Sequence, residues 1–298
     1  MPAFKRDGID LHYDDIGEGY PVLFLHEFGG DPRSWVGQVR HFSRRYRCLV
    51  PAARGYPPSD VPADAAKYGW EINLADAVGL LDHLGLKKAH VVGLSMGAYI
   101  GLLMAMRHGE RVSALVAASG GSGAYLPTRD AFIAETLAAA DRIEKSGKVP
   151  AADMGVAANR LQLKLKDPLG WQAFVDHLAE HPATGAAMTF RHVQAVRPSL
   201  YDFETELTAV AAPVLLMVGD EDEPCLDVNL YLKRLMPTSG LSIAPKSGHL
   251  INIEDPAKFN AEIDAFFVAA EAGRWPVRAA AGDANRMFRT DAGNGDGD

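Results

Sequence analysis

Gly93-Leu94-Ser95-Met96-Gly97 sets a serine between two glycines, where a short β-branched apolar run meets an Ala/Leu/Met-rich stretch. The run 89–92 reads as a buried strand and 98–108 as a helix, so Ser95 falls on the turn between them. Such a turn brings the backbone around Ser95 close to its neighbours, and glycine at 93 and 97 removes the Cβ atoms that would collide. The hydroxyl is lifted clear of the sheet, and the next N–H lies at a helix N-terminus, where partial positive charge collects. Both properties suit a nucleophile that attacks a carbonyl. Taken alone, the pentapeptide reads equally as a helix N-cap serine, and residues further along the chain decide between the two.

A serine hydroxyl is a weak nucleophile at neutral pH and needs a histidine base, itself oriented by a carboxylate. Ser247-Gly248-His249 follows an expected strand at 241–244 and precedes the last expected helix, which puts His249 at the same sheet edge as Ser95. His83, His108, His177 and His181 sit on helical patterns and read as packing or surface residues. The acids crowd into Gly219-Asp220-Glu221-Asp222-Glu223-Pro224, directly after the strand expected to end at Val218. Asp222, three residues past Gly219 in a loop closed by Pro224, is the first choice and Asp220 the fallback; most of the remaining acids read as solvated. The other strand end that could supply an acid carries Ser119 and Gly120 instead. Acyl transfer also needs donors for an oxyanion, usually backbone N–H groups. Met96 offers one by following the serine, and Phe28 the second, from the loop His26-Glu27-Phe28-Gly29-Gly30.

These loops need a sheet to hold them. Strand signals at 4–6, 11–16, 21–26, 46–50, 89–92 and 112–118 alternate with helical patterns at 32–44, 71–84 and 98–108, which indicates an α/β fold with a largely parallel sheet. Asp7-Gly8 reads as the turn of an opening hairpin. Between 120 and about 207 only helical patterns occur, at 131–143, 159–165 and 171–179. Alternation resumes with a strand at 213–218, a helix at 226–235, a strand at 241–244 and a helix at 257–270. The expected organisation is a core of 1–120 and 208–272, a helical cap of 121–207 lying over the strand ends, and a disordered tail of 273–298 with Trp275 anchored on the surface.

Composition narrows the class. The chain has 298 residues, 48% hydrophobic and 23% charged, as in an ordinary globular protein, and its net charge of −8 with no Lys/Arg stripe argues against a nucleic-acid partner. Cys48 and Cys225 form no metal-ligand or redox spacing and read as free buried thiols, which favours a reducing compartment. No signal core or membrane span is visible, so a cytoplasmic location is the default. No metal or organic cofactor is implied, the expected partner is a small-molecule ester or acyl substrate, and a homodimer is compatible with the chain.

Four signals in this chain order, the His26-to-Gly30 loop, the Ser95 elbow, Gly-x-x-Asp at 219–222 and Gly-His at 248–249, resemble the α/β-hydrolase fold family over roughly residues 4–270. The resemblance implies a mostly parallel eight-stranded sheet flanked by helices, an inserted helical cap, Ser95 as nucleophile, Asp222 as acid, His249 as base, and Phe28 and Met96 N–H as oxyanion hole. It implies a serine hydrolase cleaving small carboxylic esters through an acyl-enzyme. The same triad order also serves C–C bond hydrolases, lactonases and perhydrolases, and non-catalytic ligand receptors can keep it. Expected substrate contacts are His26, Trp171, Phe174, Met188, Phe190, Arg191 and Leu250. Two features depart from the family pattern. Glu27 replaces a common glycine and either faces solvent or holds the loop, and Ala52-Ala53-Arg54-Gly55 keeps an arginine-glycine without the usual aspartate.

Overall fold

The computed structural model describes residues 1–278. Strand β1 (Ala3–Arg6) turns back into β2 (Ile9–Ile16) through Asp7 and Gly8, both at positive φ, the two-residue turn whose twist matches that of the flanking strands. In β2 the burial alternates, so Ile9, Leu11 and Tyr13 face inward. Six parallel strands follow: β3 (Tyr20–Leu25), β4 (Tyr46–Pro51), β5 (Ala89–Leu94), β6 (Val112–Ala118), β7 (Val214–Gly219) and β8 (Ser239–Ala244). The sheet order is β1-β2-β4-β3-β5-β6-β7-β8, with the β1-β2 and β2-β4 pairings antiparallel and the other five parallel.

Both faces of this sheet are covered, which is why its strands are continuous apolar runs; every residue of β5 and β7 is buried. The period of two sends Leu23 and Leu25 to one layer, with α2 (Trp70–His83), α3 (Met96–Arg107) and α10 (Glu223–Leu235). Val22 and Phe24 go to the other, against α1 (Val36–Phe42) and α12 (Pro256–Glu271). The Arg54 side chain, fully buried without the usual neighbouring aspartate, forks onto Asp76 of α2 at 3.0 and 2.8 Å.

Between β6 and β7 the chain is helical: α4 (Arg129–Ser146), α5 (Ala151–Gly155), α6 (Leu161–Lys166), α7 (Pro168–Ala179), α8 (Ala183–Thr189), a π-type turn over Phe190–Gln194 and α9 (Glu204–Thr208). The sequence signals missed α5 and α8, which are short and rich in Ala and Gly, and placed the start of α4 two residues late. The two ends of this insertion are knotted together. Arg129 donates to the carbonyls of Gly123 and Arg197, Arg197 donates to that of Ser122, each at 2.7 Å, and the Ser199 hydroxyl donates to Ala124 at 2.6 Å.

The segment 273–278, expected within a disordered tail, instead packs on the sheet edge. Trp275 Nε1 donates to Thr238 O at 2.8 Å, its ring meets Phe266 edge-on, and Arg278 N–H donates to Pro237 O. The rest of that expected tail, 279–298, lies outside the described residues. Cys48 and Cys225 are free and buried. Among the described residues, no helix is long and apolar enough to cross a membrane.

Candidate active site

Ser95 sits between β5 and the first turn of α3 at φ +52° and ψ −106°, a strained conformation that the surrounding contacts must hold. Its N–H donates to Ala118 O at the end of β6, and its carbonyl accepts from Tyr99 N–H one turn into α3. A Cβ on Gly97 would lie 2.0 Å from Leu25 O and one on Gly93 2.3 Å from Gly97 O, so both positions require glycine. Ser95 is partly exposed while the residues on either side of it are buried.

His249 and Asp222 meet at the ends of the neighbouring strands. Asp222, just after β7, is fully buried, and its Oδ2 lies 2.8 Å from Nδ1 of the 2% exposed His249 in the loop after β8. An imidazole that donates Nδ1–H to a carboxylate presents Nε2 as a base. The other loop acids have other partners: Asp220 Oδ1 accepts Ser247 N–H, and Glu221 pairs with Lys246 at 3.0 Å on the surface. Strand β6 links this pair to the elbow, since the Ala118 carbonyl takes Ser95 N–H and the next carbonyl, that of Ser119, accepts the Cys225 thiol at 3.4 Å. Cys225 Sγ is 4.0 Å from His249 Nδ1, and Asp222, Cys225 and His249 have the spacing of metal ligands. Burial pushes the Cys225 thiol well above its usual range, which works against the thiolate a metal would need.

The loop after β3 is pinned from several sides. His26 Nε2 accepts Ala53 N–H at 3.0 Å, which leaves the proton on Nδ1, and Nδ1 donates to Glu27 O at 2.7 Å. Burial lowers the His26 pKa, although the bond to Glu27 O opposes it, so the ring is neutral. Gly30 N–H also donates to Glu27 O. A trans peptide points its N–H opposite to its C=O, so these bonds turn the Phe28 N–H away from His26. The Tyr56 hydroxyl holds the next carbonyl, that of Phe28, at 2.9 Å. Met96 N–H occupies the first position of α3, where no acceptor exists within the helix.

His26 is therefore corrected from substrate contact to loop support, because both ring nitrogens are engaged by backbone. Arg191 is corrected as well: its guanidinium lies on Asp141 and Glu144 at the surface of α4. Trp171 fastens α7 to α5 by donating to Gly155 O at 2.8 Å, with Lys164 over its ring. Leu250 is buried beside His249, and its N–H donates to Glu254. Met188 is half-buried on α8, two residues before Phe190. Two aromatic residues do reach the loop. Phe174 contacts the space over Gly29, and the Phe190 ring stacks on that of Phe28. Phe190 also lines a groove of about 890 Å³ between α4 and α5, together with Phe132, Thr136, Ile143 and Met154.

Three residues at this site were not singled out in advance. Tyr56 directly follows the arginine-glycine of 52–55, but nothing local marks its hydroxyl. Asn159 and Arg160, in the turn before α6, carry no sequence signal at all. Asn159 O accepts His249 N–H at 2.6 Å, its carboxamide donates to Asp222 Oδ1 at 3.3 Å, and Arg160 pairs with the 1% exposed Glu27 at 3.0 Å. Glu27 thus faces the protein interior.

The family model for the alpha/beta hydrolase family matches residues 22–262. A 2-hydroxy-6-oxononadienedioate/2-hydroxy-6-oxononatrienedioate hydrolase of Pseudomonas putida is 28% identical over 268 residues, 85% of this chain and 89% of its own. A 2-hydroxymuconate semialdehyde hydrolase of Pseudomonas sp. strain CF600 is 29% identical, covering 89% of this chain and 93% of its own. Among solved structures, a thermophilic esterase of Thermogutta terrifontis with malate bound superposes with a TM-score of 0.78 at 25% identity, over 90% of this chain and 97% of its own. The chain belongs to the alpha/beta hydrolase family and is a hydrolytic enzyme.

Proposed function

We propose that this hydrolase cleaves small carboxylic esters through an acyl-enzyme on Ser95. The observation that carries the reading is the buried 2.8 Å contact between Asp222 and His249 Nδ1, at the sheet edge that also presents the strained, partly exposed Ser95. Ser95 Oγ attacks the ester carbon and His249 Nε2 takes its proton, with Asp222 holding the tautomer and stabilising the imidazolium. The tetrahedral oxyanion accepts from Phe28 and Met96 N–H. His249 then returns the proton to the leaving alcohol, and water, deprotonated by the same nitrogen, releases the acid. The helical insertion acts as a cap, and Phe190, stacked on Phe28, borders the space that takes the acyl group. A neutral substrate is supported by the engagement of Arg160 and Arg191, two arginines of the insertion, with protein carboxylates.

Ser95→Ala is expected to lower turnover of p-nitrophenyl acetate by up to about 10⁶-fold while the fold is retained. Turnover within tenfold of the parent would reject the mechanism.

A second reading, hydrolysis of a 2-hydroxy-6-oxo acid, is favoured by the names of the Pseudomonas relatives. Parallel kcat/KM values for p-nitrophenyl acetate and 2-hydroxymuconate semialdehyde decide between them: the ester reading requires the larger value for the ester.

A further inference from the structure

One turn of the helical insertion touches both halves of the candidate centre. Asn159 accepts the His249 backbone N–H at 2.6 Å and donates to the Asp222 carboxylate, and the next residue, Arg160, reaches Glu27 Oε2 at 3.0 Å in the loop that carries Phe28. A Cβ on Gly248 would lie 2.3 Å from Asn159 O, so the turn is pressed against the His249 loop. Glu27 is 1% exposed, and the Arg160 side chain is 13% exposed. Among the described residues neither Glu27 Oε1 nor Arg160 Nε has a hydrogen-bond partner, so the two side chains compensate one another through the Oε2 contact. The ring of Phe174 lies 6.0 Å below the guanidinium and closes one side of the contact.

We infer that Arg160 is a positioning residue for catalysis, which sets the Phe28 oxyanion donor through Glu27 while Asn159 beside it seats His249 and Asp222. The inference rests on the Ser95 mechanism proposed above. The loop 26–30 follows a strand end and is pinned to the core through His26 and Tyr56; the Glu27 side chain ties it to the insertion by charge, next to the His181 contact of Asp31 just beyond the loop. Seating the turn 158–160 therefore completes both the oxyanion site and the imidazole-carboxylate pair. An insertion lifted off the sheet would leave Ser95 without either.

The test is steady-state hydrolysis of p-nitrophenyl acetate by the full chain, with active sites counted by fluorophosphonate labelling. The variants are Arg160→Met, Arg160→Lys, the pair Glu27→Gln with Arg160→Met, and Ser95→Ala. For Arg160→Met, kcat per labelled site is expected to fall about 10- to 100-fold with KM near the parent value, the signature of a misplaced donor and not of weakened binding. Arg160→Lys restores part of this loss, since a lysine keeps the charge without the planar fork. The double variant regains stability, because it leaves no buried carboxylate unpaired, but its kcat per site stays low, because the contact that positions the loop is still missing. A merely structural role would lower the melting temperature and the number of labelled sites while leaving kcat per site unchanged. That result overturns the inference, as does a double variant with parent-like kcat per site. If Arg160→Met does not fold, Arg160→Lys against the double variant gives the same comparison. An active Ser95→Ala overturns the mechanism and the inference together, whereas an inactive Ser95→Ala beside a parent-like Arg160→Met overturns the inference alone.

Discussion

The ring of Phe190 lies on the ring of Phe28, centroid to centroid at 3.8 Å and within 22° of parallel. One ring belongs to the π-type turn of the insertion and the other to the loop after β3, so this stack sets how close the two parts come above the candidate oxyanion donor. Turns of the π type re-aim side chains that a regular helix would direct elsewhere. Phe190 is brought over the loop by such a turn.

Phe190→Ala is expected to open the space over Phe28 and move the preference toward longer acyl chains. Over a p-nitrophenyl series from acetate to octanoate, the octanoate-to-acetate ratio of kcat/KM should rise about 10-fold or more, the scale at which hydrophobic pockets discriminate. An unchanged ratio would place the acyl group elsewhere.

His26 makes stability depend on pH. Burial keeps its folded pKa below the ordinary 6.5, so the unfolded chain binds more protons in mildly acidic solution. Stability is therefore fully present above about pH 6.5 and falls as pH drops below it. His90, also lowered by burial, adds to the slope. His26→Asn, which keeps a donor for Glu27 O, should be less stable by about 1–3 kcal/mol at pH 7.5 and lose stability less steeply between pH 7 and 5. Urea midpoints across that range check this; parallel slopes for variant and parent would contradict it.

Gly97→Ala and Gly101→Ala should part company. A methyl at 97 meets backbone, 2.0 Å from Leu25 O, whereas one at 101 meets the movable end of Leu115 at 2.7 Å. The first is expected to cost about 3 kcal/mol or more and the second about 1 kcal/mol. Because Leu25 leads into His26, the first should also depress turnover per labelled site. Thermal melts and ester hydrolysis of the two proteins make the comparison.

The architecture was legible where a local pattern forces a global arrangement. Runs such as 91–94 and 214–219 are apolar at every position, which only a strand covered on both faces tolerates, and glycines at 93 and 97 mark a turn too tight for side chains. The partner of His249 was legible as a choice among four acids, of which geometry brings Asp222 to the imidazole. Contacts between distant segments were not legible. Glu27 and Arg160 are 133 positions apart, and nothing near either names the other. His26 looked like a ligand-binding side chain because the residue that occupies its second nitrogen, Ala53, lies one strand away. Arg191 was read as a substrate contact because a short irregular turn does not reveal which way its side chains face.

The knot formed by Arg129, Arg197 and Ser199 has a consequence for how such a protein can diverge. Since Ser122, Gly123 and Ala124 are stitched to 197–199, the two ends of the helical segment leave the sheet side by side, as those of a short loop would. Helices can be lengthened, shortened or exchanged beyond that stitch without shifting the register of β6 and β7. Novelty in the segment is thus mechanically insulated from the strands that aim Ser95, while that freedom stops where the segment touches the core, as at the turn 158–160, the Phe190 stack, Lys166 beside Asp255 and His181 beside Asp31.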